Sequence, residues 1–176
     1  MSVIYNFPQI LLDGDDVCFN YLLPTTHNLI VPKKDEADIR VRISYHSHVF
    51  SVATKNGNVR FLDENNKSRY FCSDRHQWSL DLPKLCQSMI ENKWLTWEEK
   101  DRNRVSNMAV IANTLNNGTH YVVFYYLFPS RRGDYEVELV VKSAYEKYIN
   151  FDKRKRRFKV TQLIKKCYYD DVKVPK

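Results

Sequence analysis

Glycine is scarce, with 4 residues in 176. That excludes a collagen-like chain and a glycine-rich loop built to cradle a nucleotide's phosphates. Cysteine is sparse and scattered: Cys18, Cys72, Cys86 and Cys167 form no CxxC pair, which excludes a zinc ribbon or a dithiol redox centre. Each reads as a small buried hydrophobe in a reducing compartment. No apolar run in the sequence is long enough for a membrane-spanning helix. The opening MSVIYNFPQILLDGDD has no basic start and soon meets acids, unlike a secretory signal. The expectation is a soluble cytoplasmic chain with no membrane partner.

Aromatic residues and unevenly placed charge are abundant. Tyr occurs 12 times, Phe 9 and Trp 3, a richness that excludes a disordered or low-complexity chain. The net charge is +7, and it sits at one end. Lys142 to Lys176 holds 12 Lys+Arg and 4 Asp+Glu, which leaves 16 of 28 and 17 of 21 for everything before Lys142. Such local basicity points to a polyanion as partner.

A chain of this length makes one domain. Residues 1–38, with Pro8, Pro24, Pro32 and the polar run KKDEAD, read as an irregular N-terminal arm. From Ile39 the alternation in IRVRISY puts Ile39, Val41, Ile43 and Tyr45 on one face of a strand. HVFSVAT reads as its continuation, Asn56-Gly57 as a hairpin turn and NVRFLDE as the next strand. Asp81, Pro83 and the stripe Leu82, Leu85, Met89, Ile90 predict a helix. A second helix is expected from Trp97 to about Leu115. YVVFYYLF (121–128) suits a strand buried on both faces, YEVELVVK (135–142) an amphipathic one, and RFKVTQLI (157–164) a last extended stretch. The fold expected is α+β: an antiparallel sheet of about five or six strands packed by one or two helices, spanning 39–176 and ending in the basic segment.

Continued alternation would place Arg40, Arg42, Ser44, His46 and His48 on one polar face. Two arginines would hold a phosphate, and two histidines would supply an acid and a base near neutral pH. Arg69, Arg75 and His76 could complete that site if their segment folds over the sheet. Metal ligation by His46 and His48 would need a third ligand, His76, His120 or an aspartate, and none stands at ligand spacing, so no metal and no cofactor are expected. Lys142, Ser143 and Tyr145 stand where a strand should end and could orient a scissile phosphate. The run Lys153, Arg154, Lys155, Arg156, Arg157 needs solvent or an anion, and phosphates are the natural partner.

Taken together, VRISYHSHVFS, the Arg69-Tyr-Phe-Cys…Arg75-His76 segment ahead of Leu82-Pro83, YEVELVVKSAY and RFKVTQLI resemble a group of small proteins carried by bacterial prophages and plasmids, over roughly Val41 to Val174. A looser similarity is to the barnase–EndoU–colicin–RelE class of ribonuclease toxins. That likeness implies His46 or His48 as the acid/base group, with Ser143 and Tyr145 orienting the phosphate.

Three readings follow. The first is a metal-independent RNA-cleaving toxin or phage-defence effector. It has His46, His48 and Tyr145 as catalytic groups, and Arg40, Arg42, Arg69, Arg75, Ser143 and the run 153–157 binding substrate. The second is a non-catalytic nucleic-acid-binding or regulatory module. The third is an interaction protein, an inhibitor or accessory subunit, whose partner is a protein such as an antitoxin. RNA is favoured over DNA as the ligand.

Overall fold

The computed structural model describes residues 7–31, 37–55, 59–115, 118–153 and 156–176. The chain opens with a small hairpin, β1 (Leu11–Leu12) and β2 (Asp15–Asp16). Asp13 (φ 52°) and Gly14 (φ 94°) turn it, the two positive φ values a tight hairpin demands. A short 3-10 turn, Asn20–Leu22, leads to β3 (Thr25–Leu29), and β4 (Ile39–Tyr45) follows. After a second 3-10 turn, Ser47–Val49, come β5 (Ser51–Val52), β6 (Arg60–Leu62) and β7 (Ser68–Phe71). Helices α1 (Ser73–Ser79) and α2 (Leu82–Glu91) precede β8 (Leu95–Lys100), β9 (Ser106–Thr114), β10 (Thr119–Pro129) and β11 (Val137–Tyr148). A turn at Phe151–Lys153, β12 (Phe158–Lys159) and α3 (Val160–Tyr169) complete the chain.

Seven strands form one sheet in the order β12-β8-β9-β10-β11-β4-β3, and β5-β7-β6 form a second, smaller one. The fold is a single α+β domain. The main sheet is larger than the expected five or six strands, and it is mixed: β4 runs parallel to β11, Val41 opposite Val137 and Tyr45 opposite Val141.

One face of this sheet carries the core. Ile39, Val41, Ile43 and Tyr45 lie inward as the alternation requires, beside Val137, Leu139, Val141, Tyr125 and Leu127. Helix α2 covers them with Leu82, Cys86, Met89 and Ile90, and α3 with Val160, Leu163, Ile164 and Cys167. Both stripes follow the three- and four-residue steps of a helix side.

Four expectations change. Residues 1–38 do more than form an arm: β3 pairs with β4, and Ile10, Phe19, Leu22, Leu29 and Val31 are buried in the core. The segment 97–115 is the β8–β9 hairpin, not a helix. Asp101 accepts the amides of Asn103 and Val105 (2.8 and 2.9 Å) and turns the chain between the strands. The stretch 157–164 is strand for two residues only, because Val160, Leu163, Ile164 and Cys167 have helical spacing and Gln162 caps the Lys159 amide at 3.1 Å. Asn56-Gly57 lies outside the described residues, and the strands flanking it pair with β7 rather than with each other.

The sheet also bends. Lys142 Nζ donates to Asp101 Oδ2 (2.8 Å), and Lys147 pairs with Glu99. These pairs join β11 to the β8 side, three strand spacings or about 14 Å apart in a flat sheet. Contact therefore needs the sheet to curl over its second face, around Trp97, Ala109, Val122, Phe124 and Ile149. The β10–β11 register shifts at Phe124/Tyr125, passing from Ser143 to Val141. Lys142 is thus the residue left out of the ladder, as at a bulge that re-aims a side chain.

Candidate functional site

The polar face of β4 leads to the two histidines by a route other than straight alternation. The strand ends at Tyr45, where the His46 amide donates to Val141 O at 2.9 Å. The 3-10 turn Ser47–Val49 then reverses the chain, tied by Ser51 Oγ donating to Ser47 O (2.7 Å). HVFSVAT is therefore not a continuing strand. The turn nevertheless brings the rings of His46 and His48 to 6.3 Å between centroids, nearly perpendicular at 86°.

The β6–β7 turn supplies what sequence reasoning missed. Asp63 Oδ1 accepts the amides of Asn65 and Lys67, both at 2.9 Å. This side-chain turn leaves Oδ2 for His48 Nε2 at 2.9 Å. Glu64 accepts the Ser47 hydroxyl at 3.0 Å and the Ser47 amide. Asp63 is almost fully buried, while a fifth of the His48 side chain reaches solvent. On the other side, Tyr126 Oη and His46 Nε2 are hydrogen-bonded at 3.2 Å. Lys173 Nζ sits 5.4 Å from the centroid of the Tyr126 ring.

Electrostatics set the proton states. Burial lowers the His46 pKa, opposed first by Glu64 and reinforced by the Lys142 cation. Burial also lowers that of His48, with the Asp63 bond pulling it back up and Arg69 pushing it down. For Asp63, burial raises the pKa, but the His48 bond and the Lys67 and Asn65 amides outweigh it and the net shift is downward. An ionised carboxylate only accepts, so His48 carries its proton on Nε2 and presents Nδ1 as its base.

The expected cations do not converge on this pair. Arg40 is held bidentately by Glu136 (NH2 to Oε1 2.6 Å, Nε to Oε1 3.1 Å) and donates to Gly133 O at 2.9 Å. It stands six residues back along β4, about 20 Å from His46. Arg42 lies 5.4 Å from the Tyr135 ring centroid and 3.3 Å from its hydroxyl. Arg69 is buried and spends its donors on Ser51 Oγ and O (2.9 and 2.8 Å). Arg75 donates to His48 O and Ser51 O (3.2 and 2.7 Å) and covers the Tyr145 ring at 4.7 Å. Arg69 and Arg75 thus hold the 3-10 turn in place; they shape the site without offering it a free charge. Strand β11 runs on to Tyr148, so Ser143 and Tyr145 do not stand at a strand end. Tyr145 stacks on Phe124 at 5.0 Å and is four residues beyond Val141, about 13 Å along the strand. Tyr126, assigned by sequence to the core, is the tyrosine that meets His46.

His76 packs among Phe71, Phe19 and Tyr21, and His120 against Phe151; neither joins His46 and His48. Among the described residues, the set with metal-ligand spacing is His48, Asp63 and Glu64, whose ligand atoms all lie within 4.8 Å of one another. Each of the four carboxylate oxygens already accepts at least one hydrogen bond from the protein. The set is thus ordered by its own donors.

The basic run lies elsewhere. Arg154, Lys155 and the side chain of Lys153 fall outside the described residues. Arg156 and Arg157 are exposed beside β12, which β8, β9, β10 and β11 separate from β4 in the sheet.

A mixed α+β sheet with a carboxylate-held histidine pair at one end of β4, the strand next to its edge, defines the molecule. By sequence the chain belongs to the YjaZ family, whose family model matches residues 7–168. No curated protein and no solved structure matches it. No described helix is long and apolar enough to cross a membrane.

Proposed function

We propose that the protein cleaves RNA without a metal, as a toxin or defence effector would, using His46 and His48 as an acid–base pair. The observation that carries this reading is the approach of the two rings to 6.3 Å, one backed by Asp63 and the other by Tyr126. In this mechanism His48 Nδ1 takes the proton of a 2′-hydroxyl as its oxygen attacks phosphorus. Asp63 offsets the imidazolium that forms. Protonated His46, which the neighbouring Lys142 cation disposes to give up its proton, delivers it to the departing 5′-oxygen. The products are a 2′,3′-cyclic phosphate and a free 5′-hydroxyl. Asp63, Glu64 and Glu138 surround His46 with negative charge, so the grip on the polyanion has to come from another part of the surface.

Incubating the purified chain with total RNA in EDTA tests the reading, alongside His46→Ala and His48→Ala. Cleavage that survives EDTA and disappears in both variants is the expected result. Cleavage abolished by EDTA and restored by Mn2+ would replace the mechanism with metal chemistry at His48, Asp63 and Glu64. Binding without cleavage would leave a nucleic-acid-binding module.

A further inference from the structure

An open cavity on the β8 side of the sheet has neither His46 nor His48 in its lining. It is an open cleft of about 590 Å³, bounded by Trp97, Lys100, Lys147, Tyr148, Arg156 and Phe158, with Glu98 and Glu99 also on its wall. A second cleft of about 390 Å³ adjoins it, sharing Trp97 and adding Trp94, Phe151 and Arg157. Both volumes fall within the range of small-molecule sites.

The chemistry of the lining is selective. Lys147 is paired with Glu99, which also accepts the Trp97 indole N–H at 3.0 Å. With that pair cancelled, the linings of the two clefts hold Lys100, Arg156 and Arg157 against the single carboxylate of Glu98. The Arg156 guanidinium rests 4.9 Å from the Phe158 ring centroid, and Tyr148 and Phe151 are 67% and 46% exposed. Cations and exposed aromatic rings lining the same clefts fit phosphates and unpaired bases together.

We propose that these two adjoining clefts bind single-stranded polynucleotide, with Tyr148 stacking a base and Arg156 and Arg157 contacting phosphates. The inference rests on the nucleic-acid reading above and names where its substrate is held. A duplex keeps its bases stacked on each other and cannot use the aromatic rings, so it binds more weakly than a single strand of equal length.

The test uses fluorescently labelled oligonucleotides about 12 nucleotides long, within the usual single-strand site sizes. They are 2′-O-methyl RNA, which has no 2′-hydroxyl to cleave, single-stranded DNA, and a DNA duplex. Binding is measured to the full chain, to Tyr148→Ala and to Arg156→Ala, both at exposed positions that leave the core intact. Tyr148→Ala is expected to weaken single-strand binding about tenfold, as loss of one stacked base does. Arg156→Ala is expected to lower the slope of log affinity against log salt by about 1. The RNA and DNA arms decide which sugar is preferred. Parental affinity in both variants, or a duplex bound as tightly as the single strand, overturns the proposal. RNA cleavage that continues under either of those results would leave the histidine reading standing. Binding weakened as expected in a parent that cleaves nothing would sink the histidine reading and keep the clefts.

Discussion

The two ends of the main sheet do opposite things with charge. At the end of β4, histidines and carboxylates are locked into a hydrogen-bonded network around a 3-10 turn, and the nearby arginines are spent on backbone oxygens. At the β12–β8 edge, cations and aromatic rings face an open cleft. The first end is ordered for proton transfer but too acidic to hold a phosphate chain. The second suits holding a polyanion, and it offers no base beside the scissile bond. On the proposed reading, chemistry and recognition thus fall to different elements of the sheet, and a single strand reaching both would have to span several nucleotides, as the site sizes of about 4–16 nucleotides usual for single-strand binders allow.

The largest effects test that separation directly. His48→Ala should lower kcat for RNA cleavage by about 10²–10⁴-fold while leaving the affinity for 2′-O-methyl RNA at the parental value. An affinity that falls with kcat would merge the two ends into one site. The complementary pair, Arg156→Ala with Arg157→Ala, should raise KM about tenfold or more at physiological salt with kcat intact. Steady-state kinetics at two salt concentrations measures both. A loss of kcat in that double variant would bring the basic edge into the chemical step.

Much of this frame was legible in the sequence, and the failures have physical causes. The core face of β4 follows from alternation, the α2 helix from its apolar stripe and Pro83 in the first turn, and the buried β10 strand from an unbroken apolar run; Asp81 precedes α2 without a side-chain capping bond. Segment 106–114 misled because Asn107, Met108, Ala109 and Val110 are all buried: a strand covered on both faces loses the alternation that marks strands. Segment 157–164 misled because a two-residue strand runs straight into a helix. At the site, the HxH spacing was visible but its partners were not. Asp63 and Glu64 arrive from the far end of β6, through a turn whose signal, Asp-Glu-Asn-Asn, reads as loop chemistry. Tyr126 hid in an apolar run, and no local pattern announces that Lys142 is the residue a register shift re-aims.

Proton linkage gives a smaller, graded test. Both histidines titrate below the ordinary imidazole range, burial being the first cause in each. A reaction needing one protonated and one neutral ring therefore peaks on the acid side of about pH 6.5. Replacing Lys142 with Met removes a cation that depresses His46, so the optimum should move upward; an unmoved profile would detach His46 from the rate. Stability follows the same sign. The folded chain binds fewer protons than the unfolded one at His46, His48, Asp63 and Asp101, all shifted down. Resistance to urea should therefore fall as pH drops from about 6.5 through the carboxylate range.

The smallest expected effect is the most pointed. Arg40→Ala removes a cation that sequence alone places with the phosphate site. In the structure its guanidinium is closed onto Glu136 and Gly133 at the far end of β4, at the protein surface. Exposed ion pairs contribute little, and Glu136 keeps the Arg40 main-chain amide as a donor whatever the side chain, at 2.6 Å. The variant should melt with the parent and cleave RNA within about twofold of it, as surface substitutions usually do. If its kcat/KM instead fell as far as that of His48→Ala, substrate would have to run along β4 toward Arg40 and displace Glu136. The polar strand face, not the β12–β8 edge, would then be where the polyanion lies.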